Sequence, residues 1–210
     1  MDLPQQFLLM ATRDRTGRAM GYHTYGFGAA VLAEMVLRGH LRLDRKRLHV
    51  EGDAPTDPRY ATVWHDVHVR RTTKAATWVS RLSGGRYKLL RRQFTQDLVD
   101  AGVLREEPTW GGGVRFPSNG MGAEDRLRGD IRKAVDARDA SDERIVCLVA
   151  ILVAGGSGAE MDPDRRVRRA IRRQAKQWIK EEPFARSVQE LIAAITAAMV
   201  AATMAASAAS

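Results

Sequence analysis

Three basic residues lie within about one helical turn of each other in the segment "YKLLRRQFTQDLVDAGVL", residues 87–104. Lys88 and Arg91 are three residues apart and share a face if the segment is helical, and Arg92 follows directly. Ammonium and guanidinium groups grouped in this way are suited to holding a phosphate. The cluster therefore predicts a phosphorylated partner, and these residues alone leave open whether that partner is a lipid or a nucleic acid.

An aromatic side chain beside these cations would offer a flat surface to a ring-shaped headgroup. The glycine-flanked segment "GYHTYGFG" contains two candidates, Tyr22 and Tyr25. The sequence does not show that they meet the basic cluster in space. We therefore expect one of the two tyrosines to lie near Lys88 and Arg91, and treat this as a hypothesis for the structure to examine.

Other residue types that could perform catalysis are present without the partners they need. His65 and His68 are spaced to share a metal ion on one helix, but no carboxylate or cysteine nearby completes a ligand set. The glycines at 111–113 stand between two apparent strands rather than at a helix entrance, so they do not form a dinucleotide loop. Cys147 lies in an apolar run and is expected to pack in the core. We predict no enzymatic activity, no metal and no cofactor.

The overall charge also points to an anionic partner. The chain has 34 basic and 25 acidic residues, a formal charge of +9, and a second cationic segment, "RRVRRAIRRQAK", at residues 165–176. Such a balance favours nucleic acid, phospholipid headgroups or an acidic protein as the partner. The second segment fits either a solvated helix face or a contact with an anionic surface, and both interpretations stay open.

These residues must be positioned by a mainly α fold. Hydrophobic periodicity and turn residues predict a single domain over residues 1–210, built as a helical bundle with two short β-hairpins. The apolar run near residues 144–154 suits the centre of the bundle, and amphipathic helices would surround it. A helix beginning near Pro58 is expected to bury Ala61, Trp64 and either His68 or Val67.

The uncharged segment Leu191–Ser210 is about as long as a membrane-spanning helix. It consists mostly of alanine, serine and threonine, whose transfer into lipid releases little free energy. We therefore expect a helix with one buried stripe rather than a membrane span. The single cysteine and the absence of a basic signal region at the N-terminus favour a reducing, cytoplasmic location.

Five segments occur in the order known from one protein family: "FLLMATRDRTG", "VLAEMVLRGHLRLD", "DAPTD", "TWVSRLSG" and "LVDAGVL". Together they resemble the Golgi phosphoprotein 3 family, which includes its yeast vacuolar-sorting homologue. The later segment "RLRGDIRKAVDARDASDERIVCLVAILVAGG" is similar to the form that actinobacterial, and thus bacterial, members take. The resemblance covers roughly residues 6 to 200. It implies a helical bundle with a central apolar helix pair and a protruding hairpin.

The resemblance also implies a headgroup site. Eukaryotic members bind phosphatidylinositol 4-phosphate with a tryptophan, an arginine in an early helix and two arginines three residues apart. The last two positions fall on Lys88 and Arg91, so both charges are kept, whereas the first arginine falls on Gly28. The tryptophan falls on Ala19 or Tyr22, and only Tyr22 could stack on a ring.

From the resemblance we expect a non-enzymatic peripheral protein on the cytoplasmic face of a membrane. It would bind anionic phospholipids, phosphatidylinositol 4-phosphate among them, and could act as an adaptor for the cytoplasmic tails of membrane proteins. The family's hairpin maps onto Thr109 to Val114, which could mediate homo-oligomer contacts or engage the membrane. Trp110 would then either dip into the interface or pack on the bundle.

The order of elements around residues 87–116 also suits a different function. A helix, the turn "AGVL" and a hairpin with a glycine-rich tip match the recognition helix and wing of a winged-helix DNA-binding protein. Against this alternative, Asp97 and Asp100 place acidic charge in the second half of the presumed recognition helix. A third alternative, a structural scaffold, would hold other proteins without binding lipid or DNA.

Overall fold

The structure is a computed structural model, and its described residues are 1–11, 23–70, 74–110, 112–120, 122–155, 161–180, 193–194 and 196–197. Most of them are helical. The helices are α1 (Leu3–Ala11), α2 (His23–Leu37), α3 (Pro58–Val69), α4 (Ala75–Leu82), α5 (Lys88–Asp100), α6 (Gly122–Ala137), α7 (Glu143–Ala154) and α8 (Arg165–Lys180). The strands are β1 (Leu41–Asp44), β2 (Arg47–Val50), β3 (Glu107–Pro108) and β4 (Val114–Arg115), which form two antiparallel hairpins.

Two apolar helices, α2 and α7, lie at the centre of the bundle and pack against each other. Every residue of α7 from 145 to 152 is buried, and so is every residue of α2 from 26 to 35. A helix with apolar residues on all faces is stable only when other helices surround it, so the bundle assembles around this pair. The side chain of Asp142 caps α7 by accepting hydrogen bonds from the backbone N–H groups of Arg144 and Ile145.

One carboxylate is completely buried within this apolar centre. Glu34 of α2 accepts hydrogen bonds from Arg38 Nε at 2.6 Å, from Arg144 Nε and Nη2 at 3.0 and 2.9 Å, and from the backbone N–H of Leu3 at 3.1 Å. Burial by itself would raise the pKa of Glu34, but these hydrogen bonds outweigh burial and lower it. The ionised carboxylate therefore joins α1, α2 and α7.

The first hairpin and α3 follow from local sequence signals. β1 and β2 pair Leu43 with Leu48 across a turn in which Arg45 and Lys46 have positive φ. Asp57 caps α3, with Pro58 at its first position. The predicted inner face of α3 was largely wrong. Its buried residues are Tyr60, Val63, Asp66 and Val67, whereas Ala61 and Trp64 are half-buried and His68 is exposed.

Helix α4 crosses α2 so closely that one position of α2 must be glycine. A Cβ atom at Gly28 would lie 2.8 Å from the backbone oxygen of Val79 and 2.9 Å from Cβ of Leu82. Both atoms belong to the buried face of α4, so neither can move away without displacing that helix. Gly28, where the resembled family has an arginine, is therefore a packing position in this chain.

Replacing Gly28 with alanine is expected to destabilise the protein. Overpacking costs about 1–3 kcal/mol, and the higher helix propensity of alanine returns only about 0.5–1 kcal/mol of this. The matched control is Gly129→Ala in α6, where an added Cβ meets no atom within 4 Å. Thermal unfolding should show a lower melting temperature for Gly28→Ala and an unchanged or higher one for Gly129→Ala. Equal melting temperatures for the two variants would contradict the close helix crossing.

Helices α6 and α8 each bury one stripe and leave one face to solvent. Leu127, Ile131 and Val135 are the buried apolar residues of α6, as their spacing of four predicts. In α8 the buried residues include Ile171, Ala175 and Trp178. Buried Asp162 accepts a hydrogen bond from Arg132 Nε at 2.6 Å and so ties the start of α8 to α6.

The mainly α fold with a central apolar helix pair, surrounding amphipathic helices and two short hairpins is confirmed. The extent of a single domain over residues 1–210 stays a prediction. Among the described residues, no helix combines the length and apolar character needed to cross a bilayer. Most of Leu191–Ser210 lies outside the described residues, so the expected buried stripe there stays a prediction as well.

Candidate functional site

Helix α5 presents its basic residues outside the face that contacts the core. Its buried residues are Leu90, Phe94 and Leu98. Lys88 and Arg92 are exposed and Arg91 is half-buried. A 3-10 turn at Gly85–Tyr87 leads directly into the helix, and Gly85 has a φ of +56° that favours glycine. The three cations therefore project from the first turns of a helix anchored by its apolar face.

The second hairpin folds back beside this helix. Gly102 adopts a φ of +69° directly after α5, and the carbonyl of Leu98 accepts hydrogen bonds from the N–H groups of Val103 at 2.8 Å and Leu104 at 3.0 Å. This is the ordinary glycine-terminated helix end. The reversal brings β3 and β4 next to the first half of α5.

A cleft of about 350 Å³ lies between α5 and this hairpin. Its lining residues are Lys88, Arg91, Arg92 and Thr95 from α5, together with Glu106, Val114 and Phe116. The structure thus gathers the three predicted cations and one predicted hairpin residue around one concave surface, which we call the α5 cleft. A space of this size holds a headgroup-sized ligand.

The cations of the α5 cleft differ from Arg105 and Arg115 of the hairpin region in having no ion-pair partner among the described residues. Arg105 lies 2.6 Å and Arg115 2.5 Å from the carboxylate of Glu107. Partial desolvation would raise the pKa of Glu107, but the two arginines outweigh this and lower it, so the acid stays ionised. No acid of the described part of the chain forms an ion pair with any of the three α5 cations, and Glu106 is the single acid lining the cleft.

Large apolar side chains are exposed around the cleft. Trp110, at the tip of the hairpin, is fully exposed and so does not pack on the bundle. Val114 is 49% exposed and also lines the cleft, and Leu89, next to Lys88, is 63% exposed. Tryptophan is enriched where proteins meet the membrane–water boundary.

Of the two candidate tyrosines, one lies away from the cleft and the other lies outside the described residues. Tyr22 lies outside the described residues, so its predicted role beside a headgroup stays a prediction. Tyr25 is half-buried and packs against the core cluster. Gly28 faces α4 rather than the cleft. The cleft that contains the α5 cations is therefore completed by residues of the second hairpin region and not by the described part of α2.

Sequence reasoning missed four residues around the cleft: Leu89, Thr95, Glu106 and Phe116. Thr95 follows Lys88 and Arg91 by seven and four residues, so helical spacing alone would have placed it on their face. Leu89 is a large apolar residue on the otherwise polar side of α5, and this position could have been recognised from the sequence as an exposed apolar side chain. Nothing local placed Glu106 and Phe116 beside α5, because that depends on how the hairpin folds back.

The remaining candidates for chemistry are the histidine pair of α3 and the single cysteine. His65 and His68 are both exposed, and the ring of His68 stacks on that of Trp64 with centroids 5.3 Å apart. The described residues contain no group of histidine, cysteine and acidic side chains able to hold a metal. Cys147 is buried, and burial raises the pKa of its thiol to about 12, so it stays protonated at neutral pH.

The cationic segment at residues 165–176 forms the exposed side of α8. The exposed basic residues there are Arg165, Arg166, Arg169, Arg172, Arg173 and Lys176. Arg168 is half-buried and donates hydrogen bonds to the carbonyls of Asp162 and Pro163 at 2.7 and 2.8 Å. This face carries no apolar cluster comparable to the one around the α5 cleft.

Comparison with known proteins gives one match. The family model described as Golgi phosphoprotein 3 (GPP34) matches residues 3–195, which is 193 of the 210 residues. The matched region includes the α5 cleft, both hairpins and α8. A search of curated proteins found no significant match.

Proposed function

Because the chain belongs to the Golgi phosphoprotein 3 family, we propose that it is a non-enzymatic peripheral membrane protein that binds anionic phospholipid headgroups. The observation that carries this proposal is the α5 cleft, where three cations that form no ion pair with a described acid lie beside the exposed side chain of Val114. The cations would hold a lipid phosphate, and Trp110 and Val114 would enter the interface next to it.

The energetics favour a lipid surface over a single soluble anion. A cation close to an anionic membrane contributes about 1 kcal/mol, so the three cations together would contribute about 3 kcal/mol before any specific contact forms. Directed contacts with a phosphate are stronger, about 1.5–3 kcal/mol each. Insertion of Trp110 adds an apolar contribution that a soluble phosphate does not provide.

The headgroup specificity would be broader than that of the Golgi relatives. Two of the three implied cations are present as Lys88 and Arg91, while Gly28 is required for helix packing and supplies no charge. The ligand class is therefore anionic phospholipid in general, with phosphatidylinositol 4-phosphate as one member.

The family resemblance supports two further parts of the proposal. The protein would act on the cytoplasmic face of a membrane as an adaptor for the cytoplasmic tails of membrane proteins. The hairpin at residues 109–114 would contribute to a homo-oligomer or to membrane contact. The full exposure of Trp110 is compatible with either use, because the side chain is free to meet a partner or a bilayer.

Vesicle binding tests the proposal. Of the four tryptophans, Trp78 and Trp178 are buried and Trp64 is half-buried, which leaves Trp110 as the exposed reporter. We expect vesicles with anionic lipid to float the protein and to shift its tryptophan emission to shorter wavelength. Neutral phosphatidylcholine vesicles should do neither. Equal flotation with both vesicles, or none with either, would refute headgroup binding.

DNA binding is the alternative outcome of the same set of experiments. The exposed side of α5 is cationic only in its first half, and Asp97 in the second half pairs with Arg59. A mobility-shift assay at two salt concentrations would detect DNA binding through its steep salt dependence. A sequence-specific shift without vesicle flotation would favour the winged-helix interpretation.

A further inference from the structure

A second cleft, of about 430 Å³, lies on the outer side of α4. Its lining residues include Arg70, Thr77, Ser80, Arg81, Gly84 and Tyr87. It shares no residue with the α5 cleft, and we call it the α4 cleft. None of the roles assigned above to the bundle or the hairpins uses these side chains.

Helical spacing explains why these residues meet. Thr77, Ser80, Arg81 and Gly84 follow one another at intervals that place them on one side of α4 and its C-terminal end. The opposite side of the helix is buried and includes Trp78 and Leu82. Arg70 ends α3 in an extended conformation, with φ of −88° and ψ of 135°, and joins the same cleft.

The α4 cleft contains two guanidinium groups, those of Arg70 and Arg81. Neither Arg70 nor Arg81 forms an ion pair with an acid of the described residues. The carboxylate nearest in sequence to Arg70 is Asp66, which accepts a hydrogen bond from the hydroxyl of Tyr87. Two guanidinium groups therefore line one cleft, and neither forms an ion pair with an acid of the described residues.

The guanidinium group of Arg81 packs over an aromatic ring, but one of its nitrogen atoms lacks a hydrogen-bond partner among the described residues. Its guanidinium carbon lies 5.3 Å from the ring centroid of buried Trp78. Its Nη1 atom is shielded from solvent and has no hydrogen-bond partner among the described residues. A desolvated donor of this kind is costly unless an anion or a water molecule accepts its hydrogen bond.

Ser80 adds an available hydroxyl. Thr62, Ser83 and Thr95 each donate a hydrogen bond to the carbonyl four residues earlier in their helices. Ser80 is exposed and forms no such bond with the described residues, so its hydroxyl is free to donate to a ligand. The cleft thus combines two cations with a hydroxyl donor.

We propose that the α4 cleft binds a phosphomonoester group. A phosphomonoester carries about −1.5 to −2 charges at neutral pH and three strong acceptor oxygens. Two guanidinium groups and a hydroxyl match this charge and these acceptors, whereas a phosphodiester offers one charge and two free oxygens. The group could belong to a soluble metabolite or to a lipid headgroup, and the experiment separates the two sources.

The test uses the full chain and two soluble probes, glycerol 3-phosphate and the diester glycerophosphocholine, in titration calorimetry. We expect the monoester to bind more tightly than the diester. Arg70→Gln combined with Arg81→Gln should weaken monoester binding by at least about tenfold, the loss of one charge-assisted contact. Ser80→Asp should weaken it as well while leaving both arginines in place, which guards against a folding defect in the double variant.

Two controls keep the α4 cleft separate from the proposed membrane function. Arg126→Gln removes an exposed charge from α6 and should not change glycerol 3-phosphate binding. Lys88→Gln with Arg91→Gln disrupts the α5 cleft and should weaken this binding less than the α4-cleft variants do. A lipid is the source of the phosphomonoester if the protein binds vesicles containing phosphatidic acid but not soluble glycerol 3-phosphate. In that case the α4-cleft variants should reduce vesicle binding more than Arg126→Gln does. Equal binding of monoester and diester, or equal loss in the α4-cleft and α5-cleft variants, would overturn the proposal.

Discussion

Replacing Lys88 and Arg91 together with alanine is expected to weaken binding to anionic vesicles by about two orders of magnitude. Each charge-assisted contact with a phosphate contributes about 1.5–3 kcal/mol, and 1.4 kcal/mol corresponds to a factor of ten. Both side chains line the α5 cleft and have no ion pair with a described acid, so their removal exposes no unpaired partner. The fold should therefore survive, and flotation or surface plasmon resonance on supported bilayers would measure the loss.

The matched control removes the same amount of charge elsewhere. Arg126 and Lys133 of α6 are exposed, and Lys133 pairs with Asp130 at 3.7 Å on the surface. Their double alanine variant lowers the net charge equally but leaves the α5 cleft intact, so we expect its affinity to fall by no more than about threefold. Equal losses in the two variants would show that net charge rather than the α5 cleft determines membrane binding.

Replacing Glu34 with glutamine is expected to destabilise the fold by about 2–4 kcal/mol, because it disrupts a buried charged network. The amide keeps the shape of the side chain, but its NH2 group would face the guanidinium donors that now bond to a carboxylate. Arg38 and Arg144 are 37% and 45% exposed, so water relieves part of the cost. For a chain of this size the melting temperature should fall by about 5–15 °C.

Acidification gives an independent check on Glu34. Its pKa lies below the usual 4.5 in the folded state, so its contribution is fully present above that value and is lost as the pH falls through the lowered pKa. The stability difference between wild type and Glu34→Gln should therefore shrink in that acidic range. Glu51→Gln is the control: Glu51 also lies 2.6 Å from an arginine but is exposed, so its effect should be below about 1 kcal/mol. Similar effects at both positions would contradict the role of burial.

The basic cluster of α5 shows how far local pattern can reach. The boundaries of this helix, its three cations and the following turn could all be predicted, because hydrophobic spacing and a glycine stop are visible over about fifteen residues. The residues that face this cluster across the cleft could not be predicted. Tyr25 was one of the two aromatic candidates, but it packs against the core. The predicted hairpin residue Val114 and the unpredicted Phe116 complete the cleft.

Helix α3 shows a second limit. Its start at Pro58 was predicted from the aspartate and proline that begin it, but its inner face was assigned largely to the wrong residues. Tyr60 packs on the core with its hydroxyl donating to Asp2, 58 residues away, and this contact helps set the rotation of the helix. The sequence of α3 has aromatic residues on two sides of the helix, Tyr60 and Trp64, so its amphipathic pattern does not show which side faces the core.

The amino-acid sequence by itself determined the helices, the two hairpins, the apolar centre and the excess of positive charge, because propensity, periodicity and turn chemistry act between near neighbours. Only the tertiary structure decided which charges remain unpaired and which become part of the core. Glu34 and Arg144 are 110 residues apart and neutralise each other, while Lys88 and Arg91 line a cleft and form no ion pair with an acid of the described residues. Pairing of charges depends on distances of a few ångströms between remote segments, and no local pattern contains those distances.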